Sequence, residues 1–167
     1  MYRTGHYGAA LLTYAPVGFL LVAAGYEKLA IIGGGIVLGG SMVPDWDQLV
    51  PFISHRGITH TFWFALLVGL LLGAGGWVIG SEFGAQVQGP LGVFGFVIGT
   101  VMIGAHLFAD ALTPMGIRPF APLGSGSCTV GLTRAANPIG NGLLLVLGVL
   151  VAGGALAAGR EFSLAML

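Results

Sequence analysis

The sequence predicts an all-α integral membrane protein, built as a bundle of about five transmembrane helices. The chain is 56 % hydrophobic and only 7 % charged, whereas soluble domains carry roughly 25 % charged residues. Its 31 glycines fit helices that pack closely in lipid, because small residues let two backbones approach. The third observation is the division of the chain into apolar segments separated by short polar ones, which predicts several membrane crossings.

Five apolar segments account for most of the chain. They cover about 9–25, 29–43, 59–80, 90–112 and 138–159. A helix of about 20 residues crosses the hydrocarbon core of a bilayer, so these spans and their short loops fill the 167 residues. We therefore predict a single transmembrane domain over 1–167.

Each segment ends at residues that begin or end helices. The second segment should stop at Pro44, because proline disfavours helix in the residue before it. Proline is favoured at the first helical position, so Gly89-Pro90 and Asn137-Pro138 should start the fourth and fifth. The other ends are marked by Gly5-His6, Glu27-Lys28, Ser81-Glu82, Pro114 and Arg160-Glu161. The stretch 114–137 predicts a loop, with a partly re-entrant path as an alternative.

All histidines and aspartates of the chain fall in short clusters. These are Gly5-His6, Pro44-Asp45-Trp46-Asp47, His55-Arg56-Gly57-Ile58-Thr59-His60 and His106-Leu107-Phe108-Ala109-Asp110. If the five spans alternate across the bilayer, every cluster lies at the same membrane face as the N-terminus. Asp and His are ligand types that divalent metals prefer, so the pattern predicts one metal-type site at one membrane face.

The basic residues predict the orientation of that face. Arg3, Arg56, Arg118 and Arg134 lie on the side of the clusters, and Lys28 and Arg160 on the other. The excess of positive charge predicts a multi-pass protein of the cell membrane whose N-terminus and site are cytoplasmic.

The formal net charge is +0, which gives no indication of a nucleic-acid partner. The partners we expect are the lipid bilayer and a membrane-embedded or amphiphilic substrate, and the sequence leaves the oligomeric state open.

His106 and Asp110 are four residues apart on a predicted helix, so both side chains share one face. An aspartate inside a span costs at least ~2.5 kcal/mol on insertion scales, and a metal shared with the histidine would offset this cost. A hydrogen bond to a neighbouring span is the alternative.

Asp45 and Asp47 are two residues apart after a helix-ending proline. In an extended or turn backbone both carboxylates point to the same side, where they repel each other unless a cation lies between them. A loop cap of the Asx type is the alternative.

His55 and His60 flank the remaining polar residues of their cluster. Arg56 could bind a phosphate or carboxylate with two parallel hydrogen bonds, or instead form a salt bridge to Asp45 or Asp47. Thr59 could bind a substrate oxygen, but the N-cap of the third helix is its preferred role. His6 is either a ligand or simply an interfacial histidine.

In combination these motifs resemble the YdjM-like family of membrane-bound, metal-dependent hydrolases. The family pattern combines an early His, a P-D-x-D, an H-R-G-x-T-H-S and an H-x-x-x-D-x-x-T-P-x-G. Gly5-His6, Pro44 to Asp47, His55 to His60 and His106 to Gly116 match it in order and approximate spacing. Thr61 stands where the family usually has Ser, which keeps a hydroxyl. The resemblance covers roughly 5–120 and implies a metal-dependent hydrolase of the membrane.

We expect six metal ligands in such an enzyme: His6, Asp45, Asp47, His60, His106 and Asp110. One or two divalent ions would fit, with zinc as the first expectation and manganese or magnesium as alternatives. Three protein ligands are typical of one catalytic zinc, so six ligands favour two ions sharing a bridging carboxylate.

His55 is expected to be a seventh ligand or a general acid, and Arg56 and Thr59 would bind an anionic group of the substrate. The favoured substrate is a phosphoester, such as a lipid or isoprenoid phosphate. An ester or amide bond is the alternative substrate for an enzyme.

The alternative to an enzyme is a non-enzymatic membrane protein with a structural or transported metal ion. A carrier would place its ligands near the bilayer midplane and would often show repeats, and neither feature is seen in the sequence.

Overall fold

The computed structural model describes residues 1–52 and 54–166, and within them the fold is entirely helical. The five α-helices are α1 Arg3–Ala23, α2 Glu27–Gly40, α3 Phe62–Ser81, α4 Ala85–Ala111 and α5 Pro138–Ala165. Short 3₁₀ helices at Val43–Leu49 and Ile58–His60 connect α2 to α3. Five helical segments are long and apolar enough to span a membrane, the second being α2 extended to Leu49. The predicted fold class is confirmed.

Some helix ends follow the predicted signals, such as Glu27 at the start of α2 and Ser81 at the end of α3. Asn137 caps α5 by accepting hydrogen bonds from the amides of Ile139 and Gly140, and Pro138 is the first helical residue, as predicted. By contrast, α2 ends at Gly40 rather than at Pro44, and α5 continues past Arg160 to Ala165. Helix α4 begins at Ala85, five residues before the predicted start at Pro90. Pro90 therefore lies in the second turn of α4, where it cannot donate the backbone hydrogen bond to Gln86.

Two helix pairs pack through glycine. In the α1–α5 pair, a Cβ on Gly148 would lie 2.4 Å from the carbonyl oxygen of Gly8. In the α3–α4 pair, a Cβ on Gly95 would lie 2.2 Å from the carbonyl oxygen of Leu72. These distances are shorter than any van der Waals contact, so the helices touch backbone to backbone and an alanine at either position would force them apart.

Helix α4 lies at the centre of the bundle, where it packs against α1, α2 and α3. Ile98, Ile103 and Ala105 are at most 1 % exposed, while α3 and α5 expose many large apolar side chains of the kind that lipid covers. The last turns of α4 are thus enclosed by other helices, and His106 and Asp110 project into the interior.

Candidate metal centre

Five segments converge at one end of the bundle to form a cluster of histidines and aspartates. The start of α1, the 3₁₀ helix after α2, the segment before α3 and the end of α4 carry the side chains, and the start of α5 supports α1. The clustered residues are His6, Asp45, Asp47, His55, His60, His106 and Asp110. The sequence clusters therefore meet in space, as the alternation of spans predicted.

The ring of His106 is oriented by the backbone. Its Nδ1 lies 2.7 Å from the carbonyl oxygen of Ser41, just past the end of α2. A carbonyl only accepts hydrogen bonds, so the proton of this imidazole is on Nδ1. In the neutral ring Nε2 then carries a lone pair, which faces the centre of the cluster.

His60 is oriented by a relay of side chains. The hydroxyl of Thr59 donates to Asp47 Oδ2 at 2.8 Å and lies 3.0 Å from Nδ1 of His60. Since the hydroxyl proton is used on the carboxylate, Thr59 accepts from the Nδ1–H of His60. The lone pair of the second histidine is therefore also on Nε2.

These two lone pairs meet at the centre of the cluster. The Nε2 atoms of His60 and His106 are 3.1 Å apart. Asp45 Oδ1 lies 3.4 Å from each of them, and Asp110 Oδ2 lies 3.5 and 3.6 Å away. Four acceptors thus converge without a donor between neutral rings, an arrangement that is unfavourable unless a cation neutralises it.

His6 faces the same two carboxylates from the other side. Its ring is fully buried, and neither ring nitrogen has a hydrogen-bond partner among the described residues. Its Nε2 lies 3.9 Å from Asp45 Oδ2 and 3.8 Å from Asp110 Oδ1. Each carboxylate thus presents one oxygen to the His60–His106 side and the other to His6. The outer oxygen of Asp110 also accepts from the Arg56 guanidinium at 2.8 Å and from the N-terminal ammonium of Met1 at 3.2 Å.

The donor set fits a divalent metal. Three groups of side chains each bring one ligand atom per residue to within 4.8 Å of one another. The groups are His6, Asp45 and His106; Asp45, His55 and His60; and His60, His106 and Asp110. Imidazole nitrogen and carboxylate oxygen are ligands of zinc and of other first-row metals, so these residues could hold a metal ion.

Asp47 has a different environment from the other two aspartates. Its Oδ1 lies 3.0 Å from Nδ1 of His55, and its Oδ2 accepts from the amide of Arg56 and the hydroxyl of Thr59. It is absent from the three groups above. The structure places this predicted ligand one layer outside the convergent acceptors, where its contacts orient two histidines.

Arg56 bonds to Asp110, whereas the alternative considered from sequence paired it with Asp45 or Asp47. One guanidinium nitrogen donates to Asp110 Oδ1 at 2.8 Å, and another to the carbonyl oxygen of Gly116 at 2.8 Å. Its backbone has φ +60°, a left-handed conformation that non-glycine residues rarely adopt. The hydrogen bonds of its amide and its side chain hold this conformation in place.

The N-cap of α3 is Thr61, and the expectation that Thr59 caps this helix is wrong. Thr61 accepts from the amide of Phe64 at 3.2 Å. The turn at Ile58–His60 delays the start of α3 and points Thr59 at Asp47 instead.

Sequence reasoning also missed two supports of the site. Ser41 acts through its carbonyl oxygen, which no residue-type pattern reveals. Asn141 on α5 is fully buried, accepts from the amide of Tyr2 at 3.1 Å and donates to the carbonyl oxygens of Ala135 and Asn137, just before α5. It fixes the start of α1, and with it His6. A buried asparagine in an apolar helix was a signal that could have been noticed.

A cleft of about 570 Å³ lies beside the cluster. His55 and Arg56 form one wall, and residues 115–118, Ala121 and Ser127 of the predicted loop form the other. The cleft gives the cluster an opening on the side where its half-exposed histidine lies.

Comparison with known proteins gives one clear relationship. No curated protein and no solved structure shows a significant match to the chain. The sequence model of the YdjM inner membrane proteins matches residues 4–167, nearly the whole chain. The match and the five apolar helices make this a multi-pass membrane protein, and the chain belongs to the YdjM inner membrane protein family.

Proposed function

We propose that this protein is a membrane-bound, metal-dependent hydrolase acting on a phosphoester of a lipid or isoprenoid. The observation that carries the proposal is the convergence of two oriented imidazole lone pairs and two carboxylates at the His60–His106 contact, whose Nε2 atoms are 3.1 Å apart. Without a bound cation or an added proton these buried acceptors would have no partner, which costs free energy.

In this proposal, the first ion would be held by His60, His106, Asp45 and Asp110. His6 and the outer oxygen of Asp45 would contribute to a second ion, since the outer oxygen of Asp110 already accepts from Arg56 and from the N-terminal ammonium of Met1. The mixed nitrogen and oxygen donors favour zinc, and a site richer in carboxylate oxygen would favour manganese or magnesium. Asp47, predicted as a ligand, is assigned a positioning role because its oxygens are engaged with His55, Arg56 and Thr59.

A divalent metal supplies a nucleophilic water at neutral pH and stabilises the charge that develops on the attacked group. His55, whose ring is 43 % exposed, stands between Asp47 and the cleft. In the proposed reaction His55 would donate a proton to the leaving group, with Asp47 orienting its ring. Arg56 bonds to Asp110 and also lines the cleft, so its guanidinium is placed to bind an anionic oxygen of the substrate.

The location of the site fits an amphiphilic substrate. The cluster lies at one end of the apolar helices, and the cleft opens beside it. The excess of arginine on this side of the chain supports a cytoplasmic site.

The experiment is phosphate release by detergent-purified protein supplied with zinc or manganese. Phosphatidic acid and an isoprenyl phosphate in mixed micelles are the substrates. Asp110→Asn should remove the activity, while Glu82→Gln, a matched charge removal at the opposite end, should keep it. If metal-loaded wild-type protein releases no phosphate from either compound, the proposed activity is contradicted, and a structural or transported ion becomes the better explanation.

A further inference from the structure

We infer that the cleft beside the candidate metal centre is a binding subsite for anionic lipid headgroups, in which Arg118 selects the phosphate. The inference rests on the proposed function for the reaction that follows, and it narrows the substrate to lipids whose headgroup is anionic rather than zwitterionic. Its test uses binding alone and therefore does not depend on turnover.

The charge of the cleft is the first argument. Its lining contains Arg56 and Arg118 and no acidic residue among the described ones. Two of the aspartates at this end of the bundle accept hydrogen bonds from protein donors: Asp47 from Thr59 and the amide of Arg56, and Asp110 from the Arg56 guanidinium. Arg56 is paired with Asp110, whereas Arg118 has no acidic partner among the described residues. A positive charge in a partly enclosed cleft attracts anions more strongly than the same charge in open solvent.

The second argument is that the backbone around Arg118 is fixed. The carbonyl of Gly116 accepts from Arg56 at 2.8 Å. Ile117 exchanges two backbone hydrogen bonds with Cys128, at 3.0 and 2.8 Å. The carbonyl of Pro119 accepts from the amide of Phe62 at 2.8 Å. Arg118 is thus held from both sides, and its position relative to Arg56 is set by the fold.

The side chain of Arg118 contrasts with this anchored backbone. It is exposed at the mouth of the cleft, and the described part of the chain provides no side-chain hydrogen bond or salt bridge for its guanidinium. Ser54 and Ser127 add hydroxyl groups to the same lining. A guanidinium whose backbone is fixed, and which has no partner among the described residues, can bind a phosphate through two parallel hydrogen bonds.

The surroundings of the cleft indicate a lipid as the source of the phosphate. Met115, which lines the cleft, is 76 % exposed. Phe52 and Leu123, each two residues from a lining residue, are also largely exposed. Large apolar side chains around a cationic cleft at the end of membrane-spanning helices fit a bilayer interface. A phosphate monoester lipid would bind its headgroup at the arginines while its chains stay in the bilayer, whereas a choline headgroup would bring a positive charge against them.

The experiment is native mass spectrometry of the full chain in detergent, after removal of metal with EDTA. The protein is titrated with dioleoylphosphatidic acid, dioleoylphosphatidylcholine and soluble glycerol 3-phosphate. Wild type should bind phosphatidic acid about tenfold more tightly than phosphatidylcholine, as expected for loss of one or two charged hydrogen bonds in the latter. Arg118→Gln should remove most of this preference, and Arg118→Lys should keep part of it.

Arg134→Gln is the matched control, since Arg134 is an exposed arginine of the same loop that does not line the cleft. It should leave the preference unchanged. Equal binding of the two lipids by wild type, or equal effects of Arg118→Gln and Arg134→Gln, would overturn the subsite. Equal binding of glycerol 3-phosphate and phosphatidic acid would overturn the lipid source. Lack of hydrolysis, by contrast, would contradict only the proposed function.

Discussion

His60 and His106 differ from His6 in how their rings are held, although all three are fully buried. The first two are bonded at Nδ1, one by the Thr59 hydroxyl and the other by the Ser41 carbonyl. His6 has no partner at either nitrogen among the described residues, and it stacks on His106 with ring centroids 4.1 Å apart. Two of the candidate ligands are thus oriented by hydrogen bonds within the protein, and the third is held in place by packing alone.

In the proposed two-ion site, this difference predicts half-sites of unequal strength. Histidine ligands whose second nitrogen is bonded have a fixed tautomer and higher basicity, and loss of such outer contacts typically costs 10–100-fold in metal affinity. The His60–His106 half-site has these contacts, so we expect it to bind its ion first. The His6 half-site lacks them and should fill at a higher metal concentration.

The largest loss of metal affinity is expected on substitution of Asp45, the carboxylate that contacts the histidines of both half-sites. Asp45 contacts His60 and His106 with Oδ1 and His6 with Oδ2. Asp45→Asn should lower metal affinity at both half-sites by more than about 100-fold, beyond the range for outer contacts. Competition with a zinc-binding dye would measure this, with Glu27→Gln at the opposite end as control. Loss at one half-site only would show that Asp45 does not bridge.

A smaller loss of metal affinity is expected on substitution of Asp47, because this residue supports the His60–His106 half-site alone. Asp47→Asn weakens the relay through Thr59 to His60 and should lower affinity for the first ion by about 10–100-fold. Binding of the second ion should change less. A total loss of metal, as large as for Asp45→Asn, would instead make Asp47 a direct ligand, as the sequence suggested.

The smallest expected effect is on the stability of the metal-free protein, in which the stacked rings of His6 and His106 are replaced one at a time. His106→Phe leaves the carbonyl of Ser41 buried without its donor and should destabilise the fold by at least about 1 kcal/mol. His6→Phe keeps the stacked ring and removes two unpaired nitrogens, so stability should stay level or increase. Thermal unfolding in detergent with EDTA would measure both. Equal destabilisation by the two changes would contradict the claimed difference between the histidines.

Much of this arrangement could be predicted from the sequence. The alternation of five apolar segments placed His6, Asp45, His60 and His106 at one membrane face, because each helix end carries its polar cluster to the side on which the span ends. The family pattern then gave the ligand types. Both arguments use residue identity and order, which the sequence contains in full.

The details that the sequence did not reveal depend on backbone geometry. The Ser41 carbonyl has no side-chain signature, and the 3₁₀ turn at Ile58–His60 moved the N-cap from Thr59 to Thr61. Arg56 pairs with Asp110 because its left-handed backbone turns the side chain towards the end of α4. Such choices follow from tertiary packing and are not encoded by local spacing.

The most direct test of the account is metal analysis of detergent-purified wild type beside His60→Ala and Asp110→Ala. We predict one to two equivalents of a divalent metal, zinc first, in the wild type, and loss of the tightly bound ion in both variants. His60 and Asp110 come from different segments, so a shared loss would show that the cluster is one metal centre. A wild type without metal after supplementation with zinc or manganese, or variants that keep a full complement, would contradict it.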